Sequence, residues 1–185
     1  MNPMKRTILT PPVLPAGSLG ELKAWLAITS AAEDEMLTRL LRASLDMCEA
    51  FTGRVPLACL CEEIHPVRPG WQALLAEPVQ SIEGVEGIPG EGARFAMGSG
   101  DYAASLGADG TGRFRIIRQG AAGRVAVRFT AGLADEWESL PGGLRQGILH
   151  YAAHLYRMRD SGEVQASPPA AIAALWRGWR RMRVA

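Results

Sequence analysis

The chain has 185 residues and a mass of 19.9 kDa, the size of one ordinary domain or of one core with a small appendage. It is 48% hydrophobic and 21% charged, a composition that fills a core and excludes disorder throughout. The formal net charge of +1 gives no argument for nucleic-acid binding. No apolar run approaches the roughly 18 residues that span a bilayer, so a membrane protein is not expected.

Charge is unevenly distributed along the chain. Residues 1–60 carry six positive and six negative side chains. Residues 61–110 carry two positive and eight negative side chains, and residues 111–185 carry twelve positive and five negative ones. The acidic middle and the basic end are therefore expected to meet, either within one subunit or between subunits of an assembly.

The first part of the chain predicts an extended arm and two helices. Residues 1–17 are rich in proline and predict the arm. Ser18-Leu-Gly-Glu21 and Ser30-Ala-Ala-Glu33 have the pattern of capping boxes, which predicts helices over 18–27 and 31–52. The second helix has apolar residues at the spacing of a core-facing stripe: Leu37, Leu40, Leu41, Leu45 and Cys48.

Residues 55–132 contain recurring turn signals and predict a small antiparallel β subdomain inserted between helices. Residues 79–88 predict one strand. Residues 113–118 and 124–130 alternate across a glycine-containing turn and predict a hairpin. This hairpin would carry a basic face, interpreted either as a solvated surface or as a contact with a neighbouring subunit or with DNA in a channel: Arg113, Arg115, Arg124 and Arg128.

The last part of the chain predicts a helix over 141–160, followed by a link and a short basic helix within 161–185. The basic helix combines an apolar stripe with arginines: Ile172, Leu175, Trp176, Trp179, Arg177, Arg180 and Arg181. Tryptophan and arginine are enriched at interface hot spots, so the stripe either docks on a partner or packs in the core of the subunit. The expected fold class is α+β and mainly α-helical.

The residues give no argument for catalysis. His150 and His154 have the i, i+4 spacing of a zinc helix, but Tyr151 stands where a metalloprotease has its general-base glutamate. His65 lies beside two glutamates and predicts an ordinary surface pair. The three cysteines, Cys48, Cys59 and Cys61, predict reduced structural thiols. No enzyme activity, catalytic residue, metal or cofactor is expected; a metal-dependent hydrolase built on the two histidines and a DNA-binding regulator are the alternatives.

The order of several segments resembles the head–tail connector (neck adaptor) family of long-tailed phages and gene transfer agents. The matching segments run from about residue 19 to residue 180: Leu22–Ile28, Glu33–Ser44, Glu49–Arg54, Glu77–Ile82, Phe129–Gly132, Leu140–Ile148 and His154–Arg159. The glycine-rich stretch 84–112 and the Trp/Arg tail depart from the family pattern.

The resemblance implies a structural adaptor without enzymatic activity. Such proteins form a homo-oligomeric ring of twelve subunits under the portal protein, extend the DNA channel and dock the next neck or stopper protein. DNA passes through the ring without sequence recognition, and no membrane is involved. The expected location is the bacterial cytoplasm during assembly and DNA packaging, then the neck of the particle. The portal is expected to bind the apolar stripe and the arginines of the last helix.

Overall fold

The computed structural model describes residues 6–159 and 167–181. Four α-helices and eight strands follow in chain order: β1 (Arg6–Thr10), α1 (Ala16–Leu26), α2 (Asp34–Thr52), β2 (Cys59–Pro66), β3 (Gln72–Ala73), β4 (Val79–Pro89), β5 (Phe95–Ala96), β6 (Tyr102–Leu106), β7 (Gly112–Ile116), β8 (Ala122–Ala131), α3 (Gly142–Met158) and α4 (Ala170–Trp176). Short 3-10 helices cover Trp137–Ser139 and Arg177–Trp179.

The expectation of a mainly α-helical fold is wrong. The structure is 36% helical and 30% strand, with two antiparallel sheets. No strand was predicted at β1, β2 or β6, which together contain 18 residues, and the two-residue strands β3 and β5 are too short to show the alternation from which a strand is predicted. Sheet content was therefore underestimated from the pattern.

The chain divides into two compact units. The β unit contains residues 58–133 together with the start of the chain up to Pro12, where the described part of the predicted arm forms strand β1. The helical unit contains residues 13–57 and 134–185, including α4. Most of the predicted link, residues 160–166, and the last four residues lie outside the described part of the chain.

The β unit contains a five-stranded sheet of order β1-β2-β8-β4-β5 and a three-stranded sheet of order β3-β7-β6. The predicted hairpin between residues 113–118 and 124–130 is wrong, because β7 and β8 lie in different sheets. Strand β8 pairs with β2 along one edge and with β4 along the other, which leaves no edge for β7. Instead, β7 pairs with β6 and β3.

The core of the β unit lies between the inner faces of its sheets. Val125, Val127 and Phe129, predicted to share one face of their strand, are fully buried. From the smaller sheet, Phe114 is also fully buried and contacts the His65 ring edge-on, with ring centroids 5.0 Å apart. The contact joins the two sheets into one packed unit.

The helical unit buries the predicted stripe of α2. Leu37, Leu41, Leu45 and Cys48 are at most 5% exposed, which confirms the core-facing side of this helix. None of the three cysteines is disulfide-bonded, and all are buried. Burial, together with the nearby Glu49 charge, raises the pKa of the Cys48 thiol to about 12, so this thiol is protonated and unreactive at neutral pH.

Neither predicted capping box forms. Helix α1 begins at Ala16, and the Ser18 hydroxyl donates to the Pro15 carbonyl oxygen at 2.7 Å instead of accepting from the backbone. Helix α2 begins at Asp34, and the Glu33 carboxylate accepts from the Tyr156 hydroxyl at 2.8 Å. The glutamates of both patterns have partners elsewhere in the helical unit, since Glu21 accepts from Arg145 and Trp137. Tertiary partners thus outcompete the local caps.

Candidate interaction surfaces

The apolar stripe predicted to bind a partner lies largely inside the helical unit. Ile172 is 5% exposed and Trp176 is fully buried. The Trp176 ring lies 6.0 Å from the Phe51 ring and 6.1 Å from the Tyr151 ring, and its Nε1–H donates to the Leu144 carbonyl oxygen at 3.3 Å. These two side chains hold α4 against the unit and are not presented to solvent.

Glycines on α3 make room for this tryptophan. A Cβ at Gly147 would collide with the Trp176 indole, and a Cβ at Gly143 would lie 3.3 Å from the Leu175 carbonyl oxygen. The two glycines are one helical turn apart, so together they form a flat strip on which α4 rests. Two glycines at this spacing do not form an apolar stripe, so the sequence pattern of α3 does not predict that α4 packs on them.

The outward side of the last segment is basic. Arg177, Arg180 and Arg181 are exposed, while Leu175 and Trp179 are half-buried. The Arg180 guanidinium lies 5.2 Å above the Phe51 ring, and the Arg181 backbone N–H donates to the Thr52 carbonyl oxygen at 2.8 Å. The segment is therefore fixed against the end of α2 and presents its guanidinium groups to solvent.

The four arginines assigned to one basic hairpin face do not share a face. Arg113 and Arg115 lie on β7 in the three-stranded sheet, whereas Arg124 and Arg128 lie on β8 in the five-stranded sheet. Because the hairpin does not form, the predicted continuous basic surface does not exist.

Arg128 is part of a compact ion cluster on the five-stranded sheet. Its guanidinium group pairs with Glu62 at 3.1 Å and with Glu86 at 3.2 Å, and Arg94 pairs with Glu62 at 2.9 Å. Burial opposes ionisation of Glu62, but the hydrogen bonds and charges of Arg94 and Arg128 outweigh it and lower the pKa of this carboxyl. Two guanidinium groups and two carboxylates leave no net positive charge for DNA.

We expect Glu62→Gln to change the pH dependence of stability. A lowered folded-state pKa stabilises the fold above the ordinary pKa of a glutamate, and this contribution is lost as the pH falls through the folded-state value. The free energy of unfolding should therefore differ most between wild type and variant near pH 7, and the two should converge in acid. Urea unfolding from pH 7 to pH 3 measures this difference. Glu91→Gln, at an exposed loop position, is the matched control; a difference for Glu62→Gln that stays constant with pH would contradict the prediction.

The outer face of the three-stranded sheet carries an exposed tryptophan and two arginines. Trp71, immediately before β3, is 47% exposed, and the Arg115 guanidinium lies 5.1 Å from its ring centroid. Arg113 lies on the same face two residues earlier on β7 and is exposed. Trp71 was not predicted as an interaction residue, because the strand that follows it has only two residues and gives no periodic signal. A tryptophan directly after the turn signal Pro69-Gly70 was the one indication in the sequence.

A buried carboxyl–imidazole pair lies at the centre of the β unit. The expectation that His65 forms a surface pair is wrong: His65 is 1% exposed and Glu63 is fully buried. His65 Nε2 lies 3.0 Å from Glu63 Oε2, and the Glu63 carboxyl oxygens also accept from the backbone N–H groups of Leu75 and Ala76 at 3.0–3.1 Å. The pair thus ties β2 to the loop before β4.

The two histidines at zinc-helix spacing have other neighbours. His150 Nε2 lies 2.8 Å from the Gln146 side-chain nitrogen, and its ring lies 4.5 Å from the ring of Trp25, which is half-exposed. The His154 ring stacks on Tyr151 at 6.2 Å. Within residues 6–159 and 167–181, no three His, Cys, Asp or Glu side chains are grouped to hold a metal ion.

No helix in these ranges is long and apolar enough to cross a membrane.

Chains from gene transfer agent particles have the same fold. The similar structures are the neck of an empty particle computed with C6 symmetry, the virion of a native particle, and the neck of a native particle computed with C12 symmetry, with TM-scores of 0.77, 0.72 and 0.71. Each chain is 24% identical to this one, and each alignment covers 97–98% of both chains. No protein-family model and no curated protein matches the sequence. The chain therefore shares its fold with proteins of gene transfer agent particles, which agrees with the resemblance described above.

Proposed function

We propose that this chain is a structural subunit of the neck of a tailed phage or gene transfer agent, where it forms a ring below the portal. The observation that carries the proposal is the fold similarity to neck chains over 98% of both chains, at a TM-score of 0.77. The family segments recognised in the sequence support it independently, because they occur in the family's order along the chain.

The proposed ring has twelve copies of the chain. One of the similar necks was computed with C12 symmetry and another with C6 symmetry, and a twelve-membered ring is compatible with both. The ring extends the portal channel and receives the stopper or the next neck protein on its other side. Its role is mechanical, so the chain acts without catalytic chemistry or a cofactor.

DNA passes through this ring without being recognised. The charge distribution supports the proposal, because Arg94 and Arg128 are paired with Glu62 and Glu86. A protein that neutralises many phosphates with free cations holds DNA strongly, which is unsuitable for a conduit. Arginines that are paired with glutamates bind phosphates less strongly, so they do not hold the DNA in the channel.

A gene deletion tests the proposed role directly. Cells lacking the chain should accumulate DNA-filled heads and separate, unattached tails, and supplying the chain from a plasmid should restore joined particles. Electron microscopy of the restored particles should locate a ring of this fold between portal and tail. Normal tail attachment in the deletion strain, or density for the chain elsewhere in the particle, would contradict the proposal.

The portal contact is proposed to lie on the outward side of the last segment. Ile172 and Trp176 fix α4 from inside, and the exposed arginines with Leu175 and Trp179 are available to the partner. An ordered basic surface pairs with an acidic rim and sets orientation and association rate more than affinity.

We expect reversal of Arg177, Arg180 and Arg181 to glutamate to abolish binding to portal-bearing heads. The side chains are exposed, and the contact of Arg180 with the Phe51 ring is the interaction lost within the chain, so the melting temperature should fall by no more than about 2–4 °C. Sedimentation of purified chain with heads measures binding, and circular dichroism measures stability. Reversal of three other exposed arginines, Arg42, Arg68 and Arg157, is the matched charge control; equal loss of binding in both variants would argue against a contact specific to the last segment.

A further inference from the structure

The outer face of the three-stranded sheet has the composition of a protein-binding surface. The cross-strand register places Ala73, Arg113 and Ser105 in one row and Arg115 with Ala103 in the next, where Trp71 joins them. The neighbouring side chains Ala73, Ala103 and Ser105 are small, so the tryptophan and the two guanidinium groups project beyond them on this face. We call this set of six residues the Trp71 face.

The two arginines of the Trp71 face have no close carboxylate partner within the described chain, although the charge of Arg113 contributes to lowering the pKa of Asp109. Neither Arg113 nor Arg115 forms an ion pair among residues 6–159 and 167–181, unlike Arg94, Arg118, Arg128 and Arg145. Tryptophan and arginine on a rigid strand are the residue types that dominate binding at protein interfaces. The wall of a DNA channel, by contrast, is poorly served by unpaired guanidinium groups, because they bind phosphates and retain the DNA.

The acidic middle of the chain does not supply the complementary surface. Most of its carboxylates have partners inside the β unit: Glu62 and Glu86 bind arginines, Glu63 is buried with His65, and Asp101 pairs with Arg118. Asp109 accepts hydrogen bonds from Thr111, which lower its pKa. Most carboxylates of residues 61–110 are therefore engaged in ion pairs or hydrogen bonds within the β unit and do not form an acidic surface for a partner.

The helical unit presents a different acidic surface on the 3-10 helix at Trp137–Ser139. Glu136 and Glu138 are exposed, and neither carboxylate has an ion-pair partner among the described residues. Trp137 between them is fully buried, and its Nε1–H donates to Glu21 at 3.1 Å. The buried indole fixes the two carboxylates on a preorganised support, which reduces the entropy lost on binding.

We infer that the Trp71 face of one subunit binds the Glu136/Glu138 surface of the next copy of the same chain. The inference rests on the proposed ring. A cyclic ring uses heterologous contacts, in which two different surfaces of the chain complement each other, and these two surfaces lie on different units and carry opposite charges. Arginines pair with carboxylates across the contact, and Trp71 supplies the apolar centre.

Charge reversal and its compensation test the contact in the full-length chain. Three variants are supplied to deletion cells: Arg113→Glu with Arg115→Glu, Glu136→Arg with Glu138→Arg, and all four changes together. We expect each pair alone to reduce tail-bearing particles about ten-fold or more, because like charges meet across the contact. The four-fold variant should recover most of the loss, since the ion pairs are restored with reversed polarity. The matched controls reverse two charges at exposed positions outside both surfaces: Arg68→Glu with Arg124→Glu, and Glu83→Arg with Glu91→Arg.

Cross-linking identifies the contact by a second route. Carbodiimide joins carboxylates to amines but not to guanidinium groups, and the chain has only two lysines, Lys5 and Lys23. The Arg113→Lys, Arg115→Lys variant should therefore gain a ladder of cross-linked chains in purified particles. Mass spectrometry should find residues 113–115 joined to residues 136–138, and the ladder should disappear with Glu136→Gln and Glu138→Gln.

The outcomes separate the contact from the proposed function. If both charge reversals form particles normally while the wild-type chain is seen in the neck, the contact is wrong and the neck role stands. If the wild-type chain is absent from the neck, the proposed function fails. If only the arginine reversal impairs assembly, and it also weakens binding of the chain to duplex DNA, then the Trp71 face contacts DNA and the subunit contact is overturned. Melting temperatures close to wild type show that the variants fold.

Discussion

Trp176→Ala is expected to lower the free energy of unfolding by about 3–5 kcal/mol, the range for removing a large aromatic side chain from a core. The indole is fully buried, packs against Phe51 and Tyr151, and donates a hydrogen bond to Leu144. Its loss leaves a cavity, removes the hydrogen bond to the Leu144 carbonyl oxygen and weakens the packing of α4 on α3. Urea unfolding followed by circular dichroism measures the change.

Two further variants define the cause of this loss. Trp25→Ala removes the same side chain from a position that is 50% exposed and should cost about 1 kcal/mol or less. Gly147→Ala adds one methyl group in the path of the Trp176 ring and should cost about 1–3 kcal/mol through overpacking. Equal stability of Trp176→Ala and Trp25→Ala would show that α4 is not part of the core and would favour the tryptophan as a free partner anchor.

Glu63→Ala is expected to destabilise the chain by about 3–5 kcal/mol, the usual result of removing one partner from a buried ionisable pair. Its carboxyl oxygens accept from two backbone N–H groups, at Leu75 and Ala76, and contact His65. After truncation the Ala76 N–H remains buried without this acceptor, and the Leu75 N–H loses its partner at a partly buried position. Hydrogen exchange at the Leu75 and Ala76 amides, measured with global unfolding, reports the loss where it occurs.

Glu83→Ala is the matched control for this prediction. It removes the same side chain from β4, where Glu83 is exposed and, among the described residues, accepts from the hydroxyls of Ser81 and Thr130. The cost should stay within about 0.5 kcal/mol. If the two amides exchange as slowly in Glu63→Ala as in wild type, other contacts hold the loop before β4. The hydrogen bonds from this loop to Glu63 would then not be needed for its stability.

Local patterns predicted the helices better than the sheets. The stripe Leu37, Leu41, Leu45 repeats within one helix, so its burial follows from spacing alone. Strand pairing depends on which edges are free, a property of distant segments. The hairpin at β7 and β8 failed for that reason, since β2 and β4 occupy both edges of β8.

The surfaces were predictable to different degrees. The tail arginines are exposed, but no local feature distinguishes the buried Trp176 from the half-buried Trp179. The difference follows from Gly147 on another helix, which leaves room for the Trp176 ring. The buried pair was within reach of the sequence. Cys59, Cys61, Glu63 and His65 alternate on one face of a strand, so burial of the cysteines implied burial of the other two.

Each unit of the chain is assembled from two separated segments, and this fixes an order of events during synthesis. Strand β1 leaves the ribosome before α1 and α2 but has no partner until β2 follows them. Helix α2 likewise waits for α3, which is made after the whole β unit. A prematurely terminated chain therefore has an unfinished helical unit with the Leu37–Leu45 stripe uncovered. The β unit is complete once β8 has been made, whereas the helical unit needs α3, so synthesis finishes the β unit first and the helical unit last.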